Sequence, residues 1–284
     1  MASRARVSIL LILVSCRLAA FEGGYVNYLP GFYGDFSMAV IPETGTYLNN
    51  FFSVYQDHSG QVQSLVEIPG IIHATGYEIL GGHFNVGIYP GLLAVGYEGD
   101  DLKTSRVGLT DIYLMPAAIT WKTESVYVIA FEGILAPTGF YQKDTLNTGL
   151  NFWTFDHNVA VTWYLPADNE ISVNLGYMNN LKNPANDYHS GDVVHIDYLL
   201  GHYVNKEVGL GVVGSYYAQA TADHAPQAVL VTERAGASTI GPALMYAPEA
   251  FNNELIFTLK WQHEFDVSGR PALDYLTLRI WRAF

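Results

Sequence analysis

Three residues of the sequence are of the types that hydrolases use. His195 and Asp197 are two positions apart on one predicted strand, which places imidazole and carboxylate on the same face. Ser190 lies just upstream. A serine that a histidine activates, with a carboxylate orienting the histidine, can cleave esters or lipids. The favoured interpretation is that His195 and Asp197 are a lumen-facing polar pair that bonds to neighbours across the barrel.

Other patterns that carry chemistry are missing from the sequence. There is no Gly-x-Ser-x-Gly turn, no phosphate-binding glycine-rich loop and no Cys-x-x-Cys. The nine histidines, scattered from His58 to His263, show no metal-ligand spacing. The sequence therefore predicts a protein that is not an enzyme and has neither a cofactor nor a metal.

The first 20 residues have the features of a secretory signal peptide. Two arginines precede the apolar run Val7–Val14, and Ala19 and Ala20 supply small residues before a cleavage point. The run is too short to cross a bilayer as a helix, which needs about 20 residues. Cys16 also fits a lipoprotein signal, in which the cysteine is lipidated, so this alternative stays open.

Composition excludes several classes of protein. Without the signal segment the chain has 11 basic and 27 acidic residues, and this negative charge disfavours nucleic acid as a partner. Charged residues are 14% of the chain, whereas soluble globular proteins average about 25%. Together with 20 tyrosines and 27 glycines, this composition is typical of a surface that faces lipid.

Hydrophobicity alternates with a period of two along several segments. From Trp153 to Trp163 the odd positions are apolar except for His157, and the even positions are polar or small. Similar segments, separated by Gly, Pro, Asn and Asp turns, predict about 12 strands. The strands are predicted near 46–56, 67–78, 84–97, 111–122, 126–135, 153–163, 171–177, 194–205, 208–219, 238–246, 255–265 and 274–284.

Strands in lipid must close on themselves. Every backbone N–H and C=O needs an internal partner in hydrocarbon, so an open sheet edge is untenable. We therefore predict an all-β fold, a closed antiparallel, up-and-down transmembrane β-barrel of about 12 strands over residues 45–284. Residues 21–44, rich in Gly, Tyr and Pro, are predicted to be a periplasmic lead-in or a partial plug.

The alternation also predicts which polar residues face the lumen. Salt-bridged filling of a narrow bore is favoured over a selectivity filter. Lys260 and Arg279 are expected to pair with Glu254 or Asp197, because buried charges need partners. The predicted lumen-facing residues are Asp156, Asn158, His195, Asp197, Ser215, Tyr217, Gln219, Glu254, Lys260, Gln262, Glu264 and Arg279.

Aromatic residues are expected at both membrane interfaces. Phe284 ends the chain behind Leu276, Leu278 and Ile280, which resembles the C-terminal signal read by the barrel-assembly machinery, although Arg282 interrupts the stripe. Trp153, Trp163, Trp261 and Trp281 are the predicted interface residues. A lipid-facing girdle is favoured over a substrate path for Phe51, Phe52, Tyr55, Tyr77, Phe84 and Tyr89.

Short motifs in a fixed order resemble one protein family. They are Tyr28-Leu29-Pro30-Gly31, Pro42, Gly45-Thr46-Tyr47, Gly108-Leu109-Thr110-Asp111-Ile112-Tyr113, Ala136-Pro137-Thr138-Gly139, Asn151-Phe152-Trp153-Thr154-Phe155 and Tyr188-His189-Ser190-Gly191-Asp192. The chain is similar over nearly its whole mature length to the meta-pathway phenol degradation (SphA-like) proteins. That resemblance implies an outer-membrane barrel for small hydrophobic or aromatic molecules, and no catalytic step.

The leading hypothesis is a passive channel or transporter for small hydrophobic or aromatic compounds in a Gram-negative outer membrane. Its expected partners are outer-membrane lipid, the barrel-assembly machinery and the transported compound. One alternative is a structural or adhesive barrel whose lumen is filled by side chains. The other is a barrel hydrolase that uses Ser190, His195 and Asp197.

Overall fold

A computed structural model describes residues 27–99, 102–143, 145–224, 234–251 and 254–284. The predicted signal peptide and Cys16 lie outside the described residues. No helix in the described part of the chain is long and apolar enough to span a membrane. The described elements are a 3₁₀ turn, Glu249–Phe251, and the strands β1 Thr44–Asp57, β2 Val62–Ile79, β3 Gly82–Tyr89, β4 Leu92–Gly99, β5 Leu102–Leu109, β6 Ile112–Lys122, β7 Val126–Ala136, β8 Thr154–Leu165, β9 Asn169–Asn180, β10 Val193–Tyr203, β11 Val208–Gln219, β12 Gly236–Tyr246, β13 Leu255–Ser268 and β14 Leu273–Ala283.

The strands form one closed antiparallel barrel. Each pairs with its neighbour in the order β1, β2, β3, β6 and then β7 through β14, and β14 pairs back onto β1 from Tyr47↔Ala283 to Asp57↔Leu273. This ring has 12 members, and it confirms the predicted fold class. Closure along β1 and β14 satisfies the edges that an open sheet would expose to lipid.

Two of the 12 barrel strands are interrupted. β3 and β4 pair with successive halves of β2 and are separated at Pro90 and Gly91, and β5 and β6 are separated at Thr110 and Asp111. Proline cannot donate to the ladder, which accounts for the first break. The hairpin of β4 and β5 therefore continues β3 and β6 along the first half of β2, and in the described part of the chain β5 pairs only with β4.

β5 is the strand that the sequence did not predict. Its residues Leu102–Leu109 include Lys103, Ser105 and Arg106, so the segment lacks a continuous apolar face and is absent from the predicted strands. The predicted strand over 84–97 likewise covers two segments, β3 and β4. In both places, pairing with an existing neighbour determines the strand more than hydrophobic pattern does.

The connections differ in length between the two ends of the barrel. At the end that holds the C-terminus, the turns after β2, β6, β8 and β10 are two to four residues long, and the connection after β12 spans residues 247–254. At the other end the connections after β7, β9 and β11 span residues 137–153, 181–192 and 220–235. Outer-membrane barrels have short periplasmic turns and longer extracellular loops, so the C-terminus lies on the periplasmic side.

The outer surface of the barrel is apolar. Val159, Leu175, Leu200 and Leu259 point outward and are 42–53% exposed. An exposed apolar band around a closed barrel is the surface that a bilayer covers.

The predicted interface tryptophans divide into two groups. Trp153, Trp163 and Trp261 face outward and are 45–48% exposed, so their place at the membrane interface stays a prediction. Trp281 faces the lumen instead, because it shares the inward face of β14 with Tyr275. The prediction for Trp281 is wrong because Trp281 shares the parity of Arg279, which faces the lumen, and not that of the outward residues Leu276, Leu278 and Ile280.

The pairing of β12 with β13 leaves no room for a side chain at Gly241. A Cβ there would lie 1.8 Å from the carbonyl oxygen of Trp261, which is backbone and cannot rotate away. We expect Gly241→Ala to destabilise the barrel by about 1–3 kcal/mol, as overpacking does. The measurement is the heat-induced unfolding of the purified barrel in detergent.

Gly96→Ala on β4 is the matched control. The atoms nearest to a Cβ at Gly96 are 4.0 Å away, which is ordinary contact, so this variant should unfold like the wild type. Equal unfolding temperatures for the two variants would contradict the strand pairing described here.

Candidate functional site in the barrel lumen

Polar side chains fill the inward faces of the strands. The structure buries most of the predicted lumen residues on these faces. Glu254 is the exception, since it precedes β13 and is exposed. The residues that are at most 4% exposed are Asp156, Asn158, His195, Asp197, Ser215, Tyr217, Gln219, Lys260, Gln262 and Glu264; Arg279 is also inward and is partly buried.

Residues 27–43 lie against these inward faces, and we call them the lumen segment. Tyr28, Phe36 and Ala39 are at most 2% exposed. Barrel side chains also satisfy the backbone of the segment. The N–H of Ser37 donates to Glu170 Oε1 at 2.7 Å, and the N–H of Ala39 donates to Thr162 Oγ1 at 3.0 Å. Irregular backbone at membrane depth requires such internal partners.

Phe36 inserts into a pocket that three glycines create. Gly201 lies on β10, and Gly209 and Gly211 lie on β11. A Cβ at any of the three would lie 2.7–3.1 Å from the Phe36 ring. The absence of side chains at these positions is therefore what admits the phenyl ring, and Leu199 and Val213 complete the apolar contact.

Two barrel cations converge on Asp35 of the lumen segment. Lys260 Nζ lies 3.3 Å from Asp35 Oδ2 and donates to the carbonyl oxygens of Gly31, at 2.7 Å, and Gly34. Arg279 Nη1 lies 3.5 Å from the same carboxylate oxygen. The expected partners, Glu254 and Asp197, were therefore wrong for Lys260 and Arg279. The sequence prediction considered only strand residues, and the anion comes from the irregular segment.

The backbone at Gly31 explains how the segment approaches Lys260 so closely. Gly31 has φ +80°, a conformation that favours glycine, and a Cβ there would lie 2.5 Å from Gln262 Oε1. A side chain at this position would force the Gly31 carbonyl away from Lys260.

A second polar network joins the segment to β8 and β10. Each ring nitrogen of His195 faces a carboxylate, with Nδ1 3.1 Å from Asp197 Oδ2 and Nε2 3.1 Å from Asp156 Oδ1. The hydroxyl of Tyr28 donates to Asp197 at 2.7 Å, and that of Tyr33 donates to Asp156. The Tyr33 ring also stacks on the imidazole at a centroid distance of 5.2 Å. Two tyrosines of the lumen segment therefore complete the shells of two buried carboxylates.

This geometry does not form the hydrolase arrangement. Both nitrogens of His195 are occupied by carboxylates, so neither is available to take a proton from a serine. Ser190 Oγ is buried and has no hydrogen-bond partner in the described residues. The sequence placed Ser190, His195 and Asp197 in one chemical group, and the structure unites only His195 and Asp197.

A third ion pair lies at the extracellular end of the lumen. The Arg270 guanidinium binds both carboxylate oxygens of Glu264, at 2.6 and 2.8 Å, and lies over the Tyr217 ring at 5.3 Å. At the opposite end, where the lumen segment leaves the barrel, the Lys122 ammonium hydrogen-bonds to Glu43 and lowers the pKa of that carboxyl. The Lys122–Glu43 pair is exposed and adds little stability.

An apolar cavity separates part of the lumen segment from the barrel wall. Its volume is about 90 Å³, and its lining is mainly aromatic and aliphatic. The segment contributes Phe32, Tyr33 and Met38, while Phe51 and Trp281 lie on the wall. Arg279 and Asn49 form a polar corner, where Arg279 Nε donates to Asn49 Oδ1 at 2.7 Å.

The six aromatic residues that the sequence analysis considered for a lipid-facing girdle or a substrate path lie on both faces of the barrel wall. Phe51, Tyr55 and Tyr89 point inward and are at most 8% exposed, whereas Tyr77 is 73% exposed. Phe52 and Phe84 alternate with inward neighbours and face out. Lumen and lipid faces therefore share these aromatic residues, and the favoured lipid-facing girdle is wrong for Phe51, Tyr55 and Tyr89.

Comparison with known structures shows the same fold. The chain is similar to the COG4313 outer membrane channel from Pseudomonas putida F1, with 17% identity, 91% of this chain and 100% of that chain covered, and a TM-score of 0.76. It is also similar to the translocator domain of the autotransporter NalP from Neisseria meningitidis, with 10% identity, coverage of 86% and 90%, and a TM-score of 0.54. Among curated proteins, no sequence matches this chain significantly.

A family model with the description "Putative MetA-pathway of phenol degradation" matches residues 44–280. The match begins where β1 begins and ends within β14, so it reaches all 12 members of the barrel ring. It agrees with the resemblance seen in the short sequence motifs. The chain belongs to this family.

Proposed function

We propose that the protein is an outer-membrane channel for the passive uptake of small hydrophobic or aromatic compounds, and that the lumen segment closes it. The observation that carries the proposal is the aromatic cavity between the lumen segment and the barrel wall. Ligand sites are concave, mostly apolar and provided with a few polar groups, and the cavity with its Arg279 corner fits that description.

The size of the cavity supports a closed resting state. An apolar cavity of about 150 Å³ can bind benzene. The cavity here is about 90 Å³, so a single aromatic ring requires some displacement of the lumen segment. Polar contacts hold the segment, and passage therefore depends on breaking a limited number of buried hydrogen bonds and ion pairs.

The rival proposal is a structural or adhesive barrel that does not conduct. The three clusters of buried side chains inside the ring favour it, because together they fill much of the lumen. Conductance in planar bilayers separates the two proposals. A channel shows discrete openings at high potential, whereas a permanently filled barrel gives a flat trace.

We propose no catalytic role for the lumen residues. The support is that His195 already donates or accepts at both nitrogens, and that Ser190 lies outside this network. Ester hydrolysis by the purified barrel that is lost in His195→Ala would contradict this view.

Phe284 is proposed as the assembly signal that the barrel-assembly machinery reads. It follows β14, is 77% exposed and continues the outward stripe of Leu276 and Ile280. Arg282 stands on the same face, with its guanidinium 5.8 Å from the Phe284 ring.

Asp35→Asn tests whether charge holds the channel closed. The substitution keeps the size of the side chain and leaves Lys260 and Arg279 without their shared anion. Breaking a buried pair costs about 3–5 kcal/mol, so the lumen segment should dissociate more often. We expect openings in planar bilayers to become more frequent by about tenfold or more.

Asp187→Asn is the matched control for this charge. Asp187 pairs with Lys182 at 2.6 Å on an extracellular loop, and both side chains are more than half exposed. Removing that charge should leave the opening frequency unchanged. Equal behaviour of the two variants would show that Asp35 does not hold the segment.

Phe32→Ala tests the cavity as a substrate path. The Phe32 ring packs 4.3 Å from the Phe51 ring at the boundary of the cavity, so its removal enlarges the space available to an aromatic ring. We expect toluene or phenol uptake by cells that express the variant to rise several-fold, about 1 kcal/mol in barrier height. Uptake is measured with radiolabelled compound.

Phe265→Ala removes the same side chain from the lipid-facing side. Phe265 points outward from β13 and is 47% exposed, so the variant should take up aromatic compounds at the wild-type rate. A rise in both variants would indicate general leakiness rather than a path through the cavity.

A further inference from the structure

A cluster of two histidines and one aspartate lies on the outer surface at the extracellular end. His58 follows β1 in the first turn, His263 faces outward from β13, and Asp274 faces outward from β14. One ligand atom from each side chain lies within 4.8 Å of the other two. The carboxylate Oδ1 of Asp274 is 2.7 Å from His263 Nδ1 and 3.5 Å from His58 Nε2.

We infer that this cluster is a binding site for one divalent transition-metal ion. Two imidazoles and a carboxylate are the ligand set of Zn²⁺ and related first-row ions, which take nitrogen and oxygen at about 2.0–2.2 Å. Small side-chain rotations bring the three atoms to that distance from a common centre. Three protein ligands leave a coordination position open for water.

The arrangement of the rings supports a shared ligand rather than separate surface contacts. The imidazoles of His58 and His263 are nearly parallel, with an interplanar angle of 9° and centroids 4.9 Å apart, and each directs one nitrogen to the same oxygen. Backbone hydrogen bonding constrains all three positions. Asp274 and His263 are direct cross-strand partners, and the N–H of His58 donates to the Ala272 carbonyl at 2.9 Å.

A metal ion at this position stabilises the closure of the barrel. β1 and β14 are the first and last strands, and their pairing closes the barrel. A metal held by His58, His263 and Asp274 ties the turn after β1 to the last hairpin, directly above that closure. Because such an ion binds only the folded barrel, it stabilises the folded state in proportion to its occupancy.

His157 provides a matched control on the same outer surface. It faces outward from β8, and its Nδ1 lies 2.6 Å from Glu132 Oε2 across the strand pair. This pair has the same chemistry as His263 with Asp274, except that it belongs to no group of three ligands in the described residues. His157→Ala therefore removes one exposed histidine without touching the proposed site.

The test uses the full barrel in detergent, purified with a tag that contains no histidine and stripped with a chelator. Calorimetric titration with Zn²⁺ should show one ion per chain. His58→Ala and His263→Ala should each weaken that binding by about tenfold or more, because even indirect partners of a metal contribute that much. Wild type and His157→Ala should bind alike, and Ca²⁺ and Mg²⁺, which prefer oxygen ligands, should not compete.

Heat-induced unfolding supplies the second measurement. Saturating Zn²⁺ should raise the unfolding temperature of wild type and His157→Ala, and it should not raise that of His58→Ala or His263→Ala. The metal-free variants should unfold near the wild-type temperature, which shows that they are folded. The inference is overturned by a wild type without saturable Zn²⁺ binding, by equal losses in His157→Ala and His263→Ala, or by Zn²⁺ binding that leaves the unfolding temperature unchanged.

Discussion

The structure depends on one electrostatic constraint, which is that a lysine buried at membrane depth must have acceptors. Lys260 is 1% exposed, and among the described residues the strands around it supply no carboxylate within ion-pair distance. Asp35 and two carbonyl groups of the lumen segment provide the missing partners. A buried charge without such partners costs several kcal/mol. The barrel and residues 27–43 are therefore one electrostatic unit, and the interior of the ring is complete only when the segment is in place.

The second polar network is likewise formed by groups from both the barrel and the lumen segment. Asp156, His195 and Asp197 come from the barrel, and Tyr28 and Tyr33 come from the segment. The two networks hold successive parts of the segment, while Phe36 fills the glycine pocket near them. A segment held by hydrogen bonds, several separate aromatic contacts and two cations can leave in steps, which suits the proposed opening for small compounds. A single continuous apolar core would not give that behaviour.

The residues on the outer face of the barrel are determined by contact with lipid hydrocarbon. Lipid accepts no hydrogen bonds, so the strands present Val, Leu, Ile and Trp outward and close at β1 and β14. Polar outward groups occur in pairs, such as His157 with Glu132 and His263 with Asp274. At His263 a third group, His58, joins the pair at the extracellular end of the closing seam. The seam is where the first and last described strands pair, and a cluster there acts on the stability of the whole ring.

The alternation of apolar and polar residues was sufficient to predict a closed barrel of 12 strands and most of the inward residues, because a two-residue period assigns a face to each side chain wherever one phase is apolar. It failed where the pattern is weak, as at β5, and Trp281 was misplaced because its residue type was followed instead of the parity that it shares with Arg279. The sequence could not pair Lys260 with Asp35, which are 225 positions apart, nor bring His58 to His263. Those contacts arise from ring closure and from the path of an irregular segment, and neither leaves a periodic pattern in the sequence.

Composition and period therefore determined which solvent each strand face meets. Only the tertiary structure decided which charges meet each other, because partners are selected by distance across the lumen and not by spacing along the chain.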